Sequence, residues 1–356
     1  MDAGPLLRKE LLWLRRNRWA VLFVFGVVPA LFALATTGFS RALPTNVPVA
    51  VAPASGAVKS DELQAARGLL RGIAHPVPVE SAEAARTALD RERVYGVLTV
   101  RHGLYDGAAE VTLPFAVDGT MVPYGQPSRL VVAGLNDRAT VFPADVTVDR
   151  TVLAPVHTLG EYLLAVLTVV LALVYAFTYV PYHLAREKEA FDRVRVESSL
   201  GSLLAAKSVA FGVLLAVAVA VLGVVALALG YDVALWRPAA LAVLGLTATY
   251  LTATSAGIAF LTRFSVAGRF LGVVVLAAVL AFSNLFYPAG FFSPVRRTIA
   301  RRMPVHHSMV AFRGLALGGH GPGLFRDRLL ALVGVTVASL VWLWACVRHY
   351  ERRGTT

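Results

Sequence analysis

Three stretches of this chain carry residue types whose spacing invites chemistry. Gly201 to Ser208, GSLLAAKS, nearly spells G-x-x-x-x-G-K-[ST], the loop in which backbone amides of a glycine-rich turn wrap phosphates. Ala206 stands where the second glycine is needed and no strand precedes the stretch, so it reads as the start of an apolar helix. His306 and His307 are adjacent and cannot share one helical face, and no Glu or third His stands at metal-ligand spacing. With no H-E-x-x-H and no G-x-S-x-G, neither a metal centre nor a nucleophilic hydrolase is expected. The third stretch, Leu184 to Lys207, is the densest mixed-charge run in the chain and lies between two apolar runs. Leu184, Phe191, Val194 and Val196 are its apolar positions. A short helix presenting Phe191 can sit in a groove of another protein while Glu187, Arg193 and Arg195 set the register, since aromatic and Arg anchors dominate such contacts. The same run also reads as a solvated, salt-bridged loop that only orients its flanking spans.

The elements that must position these residues are set by composition. Of 356 residues, 57% are hydrophobic, above the ~45–50% usual for soluble domains. Several runs approach the ~20 apolar residues that cross a hydrocarbon core as a helix, so the fold class is a polytopic α-helical membrane protein. The net charge of +12 is explained by Lys and Arg flanking spans. No basic patch interleaves with aromatics, so nucleic acid is not an expected partner. The single Cys346 excludes an internal disulfide and a Cys-based metal cluster.

In chain order, residues 1–18 read as a basic amphipathic helix on the membrane surface, with Leu6, Leu7, Leu11 and Leu14 at helical spacing. Trp19 to Phe39 is the first span; the competing reading is a signal peptide, but the run exceeds the ~7–15 residues of a signal core. Residues 41–158 differ in kind. Strands are expected over Val47–Ala52, Tyr95–Val100, Val111–Val117 and Val146–Leu153. Helices are expected over Asp61–Ile73, Ser81–Asp90 and Pro127–Arg138, with Ser60 and Ser81 as caps. This alternation predicts a small α/β domain with a partly parallel sheet, a folded insertion outside the membrane. Five further spans are expected over 159–348: Tyr162–Val180, Ser208–Leu229, Ala239–Leu261, Phe270–Phe286 and Leu329–Val347. Residues 349–356 form a tail. None of these spans carries an acidic or basic residue in its core, which argues against a proton relay.

Counting Lys and Arg places both termini inside, with roughly fifteen in the short inner segments. The segment 287–328 strains this assignment, because it falls outside yet carries Arg296, Arg297, Arg301, Arg302, Arg313, Arg326 and Arg328.

Two stretches resemble a known family. Arg186-Glu187-Lys188-Glu189, running into Phe191-Asp192-Arg193-Val194 and ending at Lys207, resembles the cytoplasmic loop of ABC exporter permeases of the second type. Asn284-Leu285-Phe286-Tyr287-Pro288, then Pro294, Arg301-Arg302-Met303-Pro304-Val305-His306 and Arg313-Gly314, resembles the segment after that family's fifth span. The insertion resembles the variant with a large extracytoplasmic domain between the first two spans, through Asn46 to Val51, Ser81 to Ala84 and Tyr95 to Val100. Glu189-Ala190 and Glu197-Ser198 replace the Gly-Thr and Thr-Pro common in family loops.

The resemblance implies six transmembrane helices plus a small extracytoplasmic α/β domain, in the cytoplasmic membrane of a prokaryote. Residues 287–328 would be two short outward-side helices dipping back into the membrane. It implies a dimer of this chain, or a pair with a paralogous permease, working with a separate ABC ATP-binding subunit. ATP and Mg would bind that partner and no cofactor would bind this chain. The coupling contacts would fall within loop 184–207, at Arg186, Glu187, Glu189, Phe191, Asp192, Arg193, Val194 and Arg195.

A candidate pathway begins at Tyr175, Thr178 and Tyr179, which with the belt residue Tyr182 lie at i, i+3, i+4 and i+7 on the inner half of the second span. They read either as a path for amphipathic cargo or as an interfacial aromatic belt. Thr247, Tyr250 and Thr254 form a similar stripe that more often serves helix packing. Asn284 either gates the path or pairs with a neighbouring backbone. Two other classes compete: a sensor or assembly scaffold whose external domain binds a ligand, and a membrane enzyme, which the lack of buried ionisable groups disfavours.

Overall fold

A computed structural model describes residues 47–106, 110–187 and 200–353. The surface helix at 1–18, the first span at 19–39, and Glu189, Phe191, Asp192, Arg193, Val194 and Arg195 lie outside the described residues.

The chain opens with a five-stranded sheet in the order β2-β1-β3-β4-β5. Its strands are β1 (Pro48–Pro53), β2 (His75–Pro78), β3 (Gly96–Val100), β4 (Glu110–Asp118) and β5 (Asp145–Leu153). β1 pairs in parallel with both β2 and β3, β3 is antiparallel to β4, and β4 is parallel to β5. Helices α1 (Ser60–Leu70), α2 (Ala82–Asp90) and α3 (Gly125–Ala139) make the crossovers that parallel pairs require. The central strands read PVAVAP and GVLTV and are almost wholly buried, as strands covered on both faces should be.

β2, HPVP, is a strand that the sequence pattern does not predict, because two prolines in four residues demote a strand. Its edge position explains the exception: a proline there forfeits no ladder bond and blocks further pairing. The other edge is closed by Asn136, whose Nδ2 donates to Val148 O at 3.1 Å and whose Oδ1 accepts from Val148 N at 2.6 Å.

Local capping follows sequence at α2, where Ser81 Oγ accepts from Ala84 N at 3.1 Å. At α1 it differs. Ser60 is the first helical residue rather than the cap, and Glu62 reaches back to accept from Lys59 N at 2.9 Å. The buried Glu62 carboxylate also accepts from Gly103 N at 2.7 Å and Leu104 N at 3.2 Å, and meets His102 Nδ1 at 3.1 Å. It thereby ties the start of α1 to the loop after β3.

The helical bundle follows. α4 runs Leu159–Arg186, α5 Leu200–Ala228, α6 Pro238–Leu261, α7 Val266–Phe282 and α10 Arg326–Arg353. Among the described residues four helices are long and apolar enough to cross a membrane, lying within α4, α5, α6 and α10. The fifth expected span is the short helix α7, whose 17 residues extend about 25 Å, and it begins and ends four residues earlier than the predicted 270–286. The last helix continues through Arg353 into the expected tail. Between α7 and α10 the chain kinks at Pro288 and forms two short helices, α8 (Pro294–Arg302) and α9 (Pro304–Ala316). Pro304 separates them because a proline disfavours helical geometry in the residue before it; Met303 is accordingly extended.

α4 starts with a capping box that the predicted start at Tyr162 overlooks. Thr158 Oγ1 accepts from Glu161 N at 3.3 Å, and Glu161 Oε2 accepts from Thr158 N at 2.6 Å. α6 packs mainly on α10, where Gly257 lets the Trp342 indole lie against the backbone. Trp342 is therefore a packing residue as much as an interfacial one, whereas Trp344 stays 60% exposed under Arg348. The Thr247–Tyr250–Thr254 stripe also packs helices: Thr247 Oγ1 donates to Ser308 Oγ at 2.8 Å, and Thr254 Oγ1 to Ser339 Oγ at 3.3 Å.

Burial alone would raise the Glu62 carboxyl, but its hydrogen bonds from Lys59, His102, Gly103 and Leu104 outweigh that and hold it at about 2 instead of 4.5. A depressed folded pKa contributes stability that is complete above the unfolded value and disappears as pH falls through the folded one. Hydrogen exchange on the full chain in nanodiscs should show α1 and residues 101–104 losing protection between pH 4.5 and about 2. Glu62→Gln should weaken the same amides by about 1–3 kcal/mol already at neutral pH and flatten the acid response. An unaltered profile in the variant would contradict the assignment.

Candidate functional site

The residues predicted to carry function fall at two places. The first is the end of the bundle remote from the sheet. Glu187, just beyond α4, receives Lys207 from α5 in an ion pair and lies 2.9 Å from His183 Nε2 one turn earlier. Lys207 thus bridges two helices. The GSLLAAKS stretch is helical backbone within α5, not a phosphate-wrapping turn. Arg186 lies over the Tyr182 ring at 5.7 Å and donates to its hydroxyl at 3.3 Å.

Above the Glu187–Lys207 pair is a cavity of about 150 Å³ between α4, α5, α6 and α10, lined by Tyr175, Leu184, Lys207, Phe211, Thr249 and Leu343 among others. Tyr175 reaches it and donates to Phe211 O at 3.2 Å. Tyr179 stacks on Tyr175 with ring centroids 5.0 Å apart, and His183 stacks on Tyr179 at 5.8 Å. The stripe is therefore Tyr175–Tyr179–His183, and Tyr182 is displaced to the exposed side. The reason is a π turn over Tyr175–Tyr179, in which Val180 N donates to Tyr175 O five residues back. It immediately precedes Pro181, which has no N–H to continue the α ladder. That proline was the available signal for the break.

Of the pathway candidates only Tyr175 lines the cavity; Tyr179 meets it through the Tyr175 ring, and the other two are not brought to it. Thr178 is exposed, with its hydroxyl bonded back to Val174 O at 2.7 Å. Asn284 lies beyond the end of α7 in the kink before Pro288. It is fully buried, and neither side-chain polar atom has a hydrogen-bond partner among the described residues.

The second place joins the sheet domain to the bundle, and no single residue of the sequence marked it. Arg313 on α9 is 1% exposed and pairs with the buried Glu92: Nη2 lies 2.6 Å from Oε2 and Nε 3.0 Å from Oε1. Its Nη1 donates to Tyr162 OH at 2.8 Å, and that hydroxyl donates to Phe286 O at 3.1 Å. Glu92 has φ +53°, a left-handed conformation that Gly or Asn usually occupies after a helix. The backbone conformation costs about 1–2 kcal/mol and holds the carboxylate against Arg313. Beside it Tyr95 packs its ring on the Gly290 backbone, where a Cβ would collide, and its oxygen accepts from Gly290 N at 3.2 Å. Burial, with the nearby Glu92 charge, pushes the Tyr95 phenol up to about 12, so it stays protonated.

Four other arginines of the segment are also engaged, while Arg302 and Arg326 are exposed. Arg296 donates to Ala281 O at 2.5 Å, near the C-terminus of α7. Arg297 donates to Gly290 O at 2.9 Å, Arg301 to Arg93 O at 3.2 Å and Arg328 to Arg91 O at 2.8 Å. Arg93 pairs with Asp327 at 3.3 Å. Arg301, Arg313 and Arg328 thus bind the two parts together, while Arg296 and Arg297 tie carbonyls within the bundle.

Breaking a buried, hydrogen-bonded pair leaves an uncompensated charge, which costs about 3–5 kcal/mol. Glu92→Gln and Arg313→Gln should each lower the melting temperature of the detergent-purified chain, and the double variant should lose clearly less than the sum of the two. Additive losses would show that the residues do not act as a pair.

The family model described as ABC-2 family transporter protein matches residues 19–346. No curated protein and no solved structure matches this chain. The matched span covers both the sheet domain and the bundle with its paired short helices, and so the chain belongs to the ABC-2 family of transporter proteins, as a multi-pass membrane component.

Proposed function

We propose that this chain is the permease subunit of an ATP-driven exporter, pairing with a second copy or a paralogue around a pore and powered by a separate ATP-binding subunit. ATP and Mg belong to that subunit, and hydrolysis is its reaction. In this reading the sheet domain and helices α8 and α9 lie on the extracytoplasmic side of a prokaryotic cell membrane, six spans cross it, and both termini are cytoplasmic.

The observation that carries the proposal is the clamp of Glu187 by Lys207 and His183, directly below the cavity at Tyr175 and Phe211. It holds both ends of the charged segment 188–199 to the bundle. Force applied to Phe191, Asp192, Arg193, Val194 and Arg195 by a cytoplasmic partner passes through Glu187 and Lys207 into α4 and α5. Arg186 and Glu189 flank that contact. Those two helices, with the π turn between Leu159 and Arg186, line the cavity. A π turn is a local defect that a helix can shift with little loss of hydrogen bonding, which suits a moving wall. The engagement of Arg301, Arg313 and Arg328 in the domain junction supports an outward placement of that segment.

The test is reconstitution with the cognate ATP-binding subunit. Phe191→Asp should abolish ATP-dependent transport and partner co-purification while membrane insertion persists. Glu187→Gln breaks a partly exposed pair worth about 0–1 kcal/mol, so thermal stability should barely change while the ATP-driven rate falls. Unchanged transport and co-purification in Phe191→Asp would remove the coupling role. Ligand binding by the chain with no ATPase partner associated would favour a membrane-anchored sensor or scaffold.

A further inference from the structure

Between the sheet domain and helices α8 and α9 lies an open cleft of about 790 Å³. One wall comes from the β1–β2 edge and α2, the other from the short helices and the start of α10. Arg93, Arg297, Arg301, Arg328, His306 and His307 line it. The acidic residues in the wall are already matched. Glu92 accepts two hydrogen bonds from Arg313, and Asp327 pairs with Arg93. The cleft therefore keeps a positive excess from Arg301 and Arg328.

We propose that this cleft binds a phosphate group, carried either by a lipid headgroup or by a soluble molecule. A guanidinium has five N–H donors in a fixed fork. Among the described residues Arg301 gives one to Arg93 O and Arg328 gives one to Arg91 O, and both side chains line the cleft with donors left over. His306 supplies a second, independent sign. Its side chain is 3% exposed, it lines the cleft, and its Nδ1 has no hydrogen-bond partner among the described residues. His307 Nδ1 is in the same condition. Buried polar atoms of native folds are normally satisfied, and an orphaned imidazole nitrogen beside several guanidiniums suits an acceptor-rich anion. A lone carboxylate is fully served by one Arg fork, whereas several forks and two imidazoles match the oxygens of a phosphate. The volume is that of a small-molecule site, and the cleft opens at the end of the bundle where α4, α6 and α10 begin, within reach of headgroups or solvent.

Binding is measured on the full chain in phosphatidylcholine nanodiscs, without any ATPase, so its outcome is separate from that of the transport reading. One arm titrates inorganic pyrophosphate by calorimetry. The other raises the phosphatidylglycerol fraction of the disc and counts retained lipid by native mass spectrometry. Arg301→Gln should weaken binding about tenfold, the loss of one charge-assisted hydrogen-bonding group. His307→Gln, which removes no contact of the domain junction, should weaken it in the same direction with an unchanged melting temperature. Arg302→Gln, exposed and outside the cleft, should leave it intact. Pyrophosphate binding alone identifies a soluble ligand, phosphatidylglycerol retention alone a lipid headgroup, and both together a site for phosphate on either carrier. Failure of both probes, an equal loss in Arg302→Gln, or no loss in His307→Gln and Arg301→Gln overturns the proposal.

Discussion

The buried pair of Arg313 and Glu92 is the interaction on which the two halves of the molecule depend. Two charges removed from water repay that cost only when the geometry is good and the remaining donors and acceptors are used. Here both guanidinium edges are occupied: one by the two carboxylate oxygens, the other by Tyr162 OH and the Leu285 carbonyl. Four segments meet at one cation: the turn after α2, the first turn of α4, the kink before Pro288 and the last turn of α9. Hydrophobic burial alone gives no such register. Glu92 accepts a left-handed backbone to reach its partner, so the local sequence preference yields to the tertiary contact.

Around this pair the arginines follow one rule. Arg296, Arg297, Arg301 and Arg328 sit where backbone carbonyls are left over, at the end of α7, in the kink, or in the turn after α2. Helix ends and irregular turns leave carbonyls without partners, and a buried carbonyl without a donor is costly. The arginine-rich segment is therefore a set of donors for an irregular junction, which is a different role from the loop charges that orient spans. Gly290 serves the same junction by absence, since only a residue without Cβ lets the Tyr95 ring approach its backbone.

At the opposite end the organisation is looser. One partly exposed carboxylate, Glu187, gathers a histidine and a lysine, and a small cavity lies above it. The two ends are joined through α4, whose Thr158–Glu161 box anchors it at the domain junction and whose π turn precedes Pro181 near the cavity. A rigid end and a defect-bearing end on one helix divide the molecule into a fixed frame and a part able to shift.

The sequence by itself determined whatever depends on neighbours along the chain. Apolar runs of sufficient length placed the helices now seen in the bundle, because the cost of exposing backbone in hydrocarbon leaves a long apolar stretch few alternatives. Alternating short strands and amphipathic helices marked the α/β domain, and Ser81 marked a helix start. The β2 strand escaped because its prolines are tolerated only at an edge, and being an edge is a property of the whole sheet. Tyr182 looked like part of the stripe because α periodicity was assumed across Pro181; the π turn put His183 there instead. The tertiary structure alone decided the partners of charge. Glu92 and Arg313 are separated by 221 positions, and no local periodicity relates them. Only the folded chain brings them together, because electrostatic and hydrogen-bond complementarity acts through space while propensity and periodicity act along the sequence.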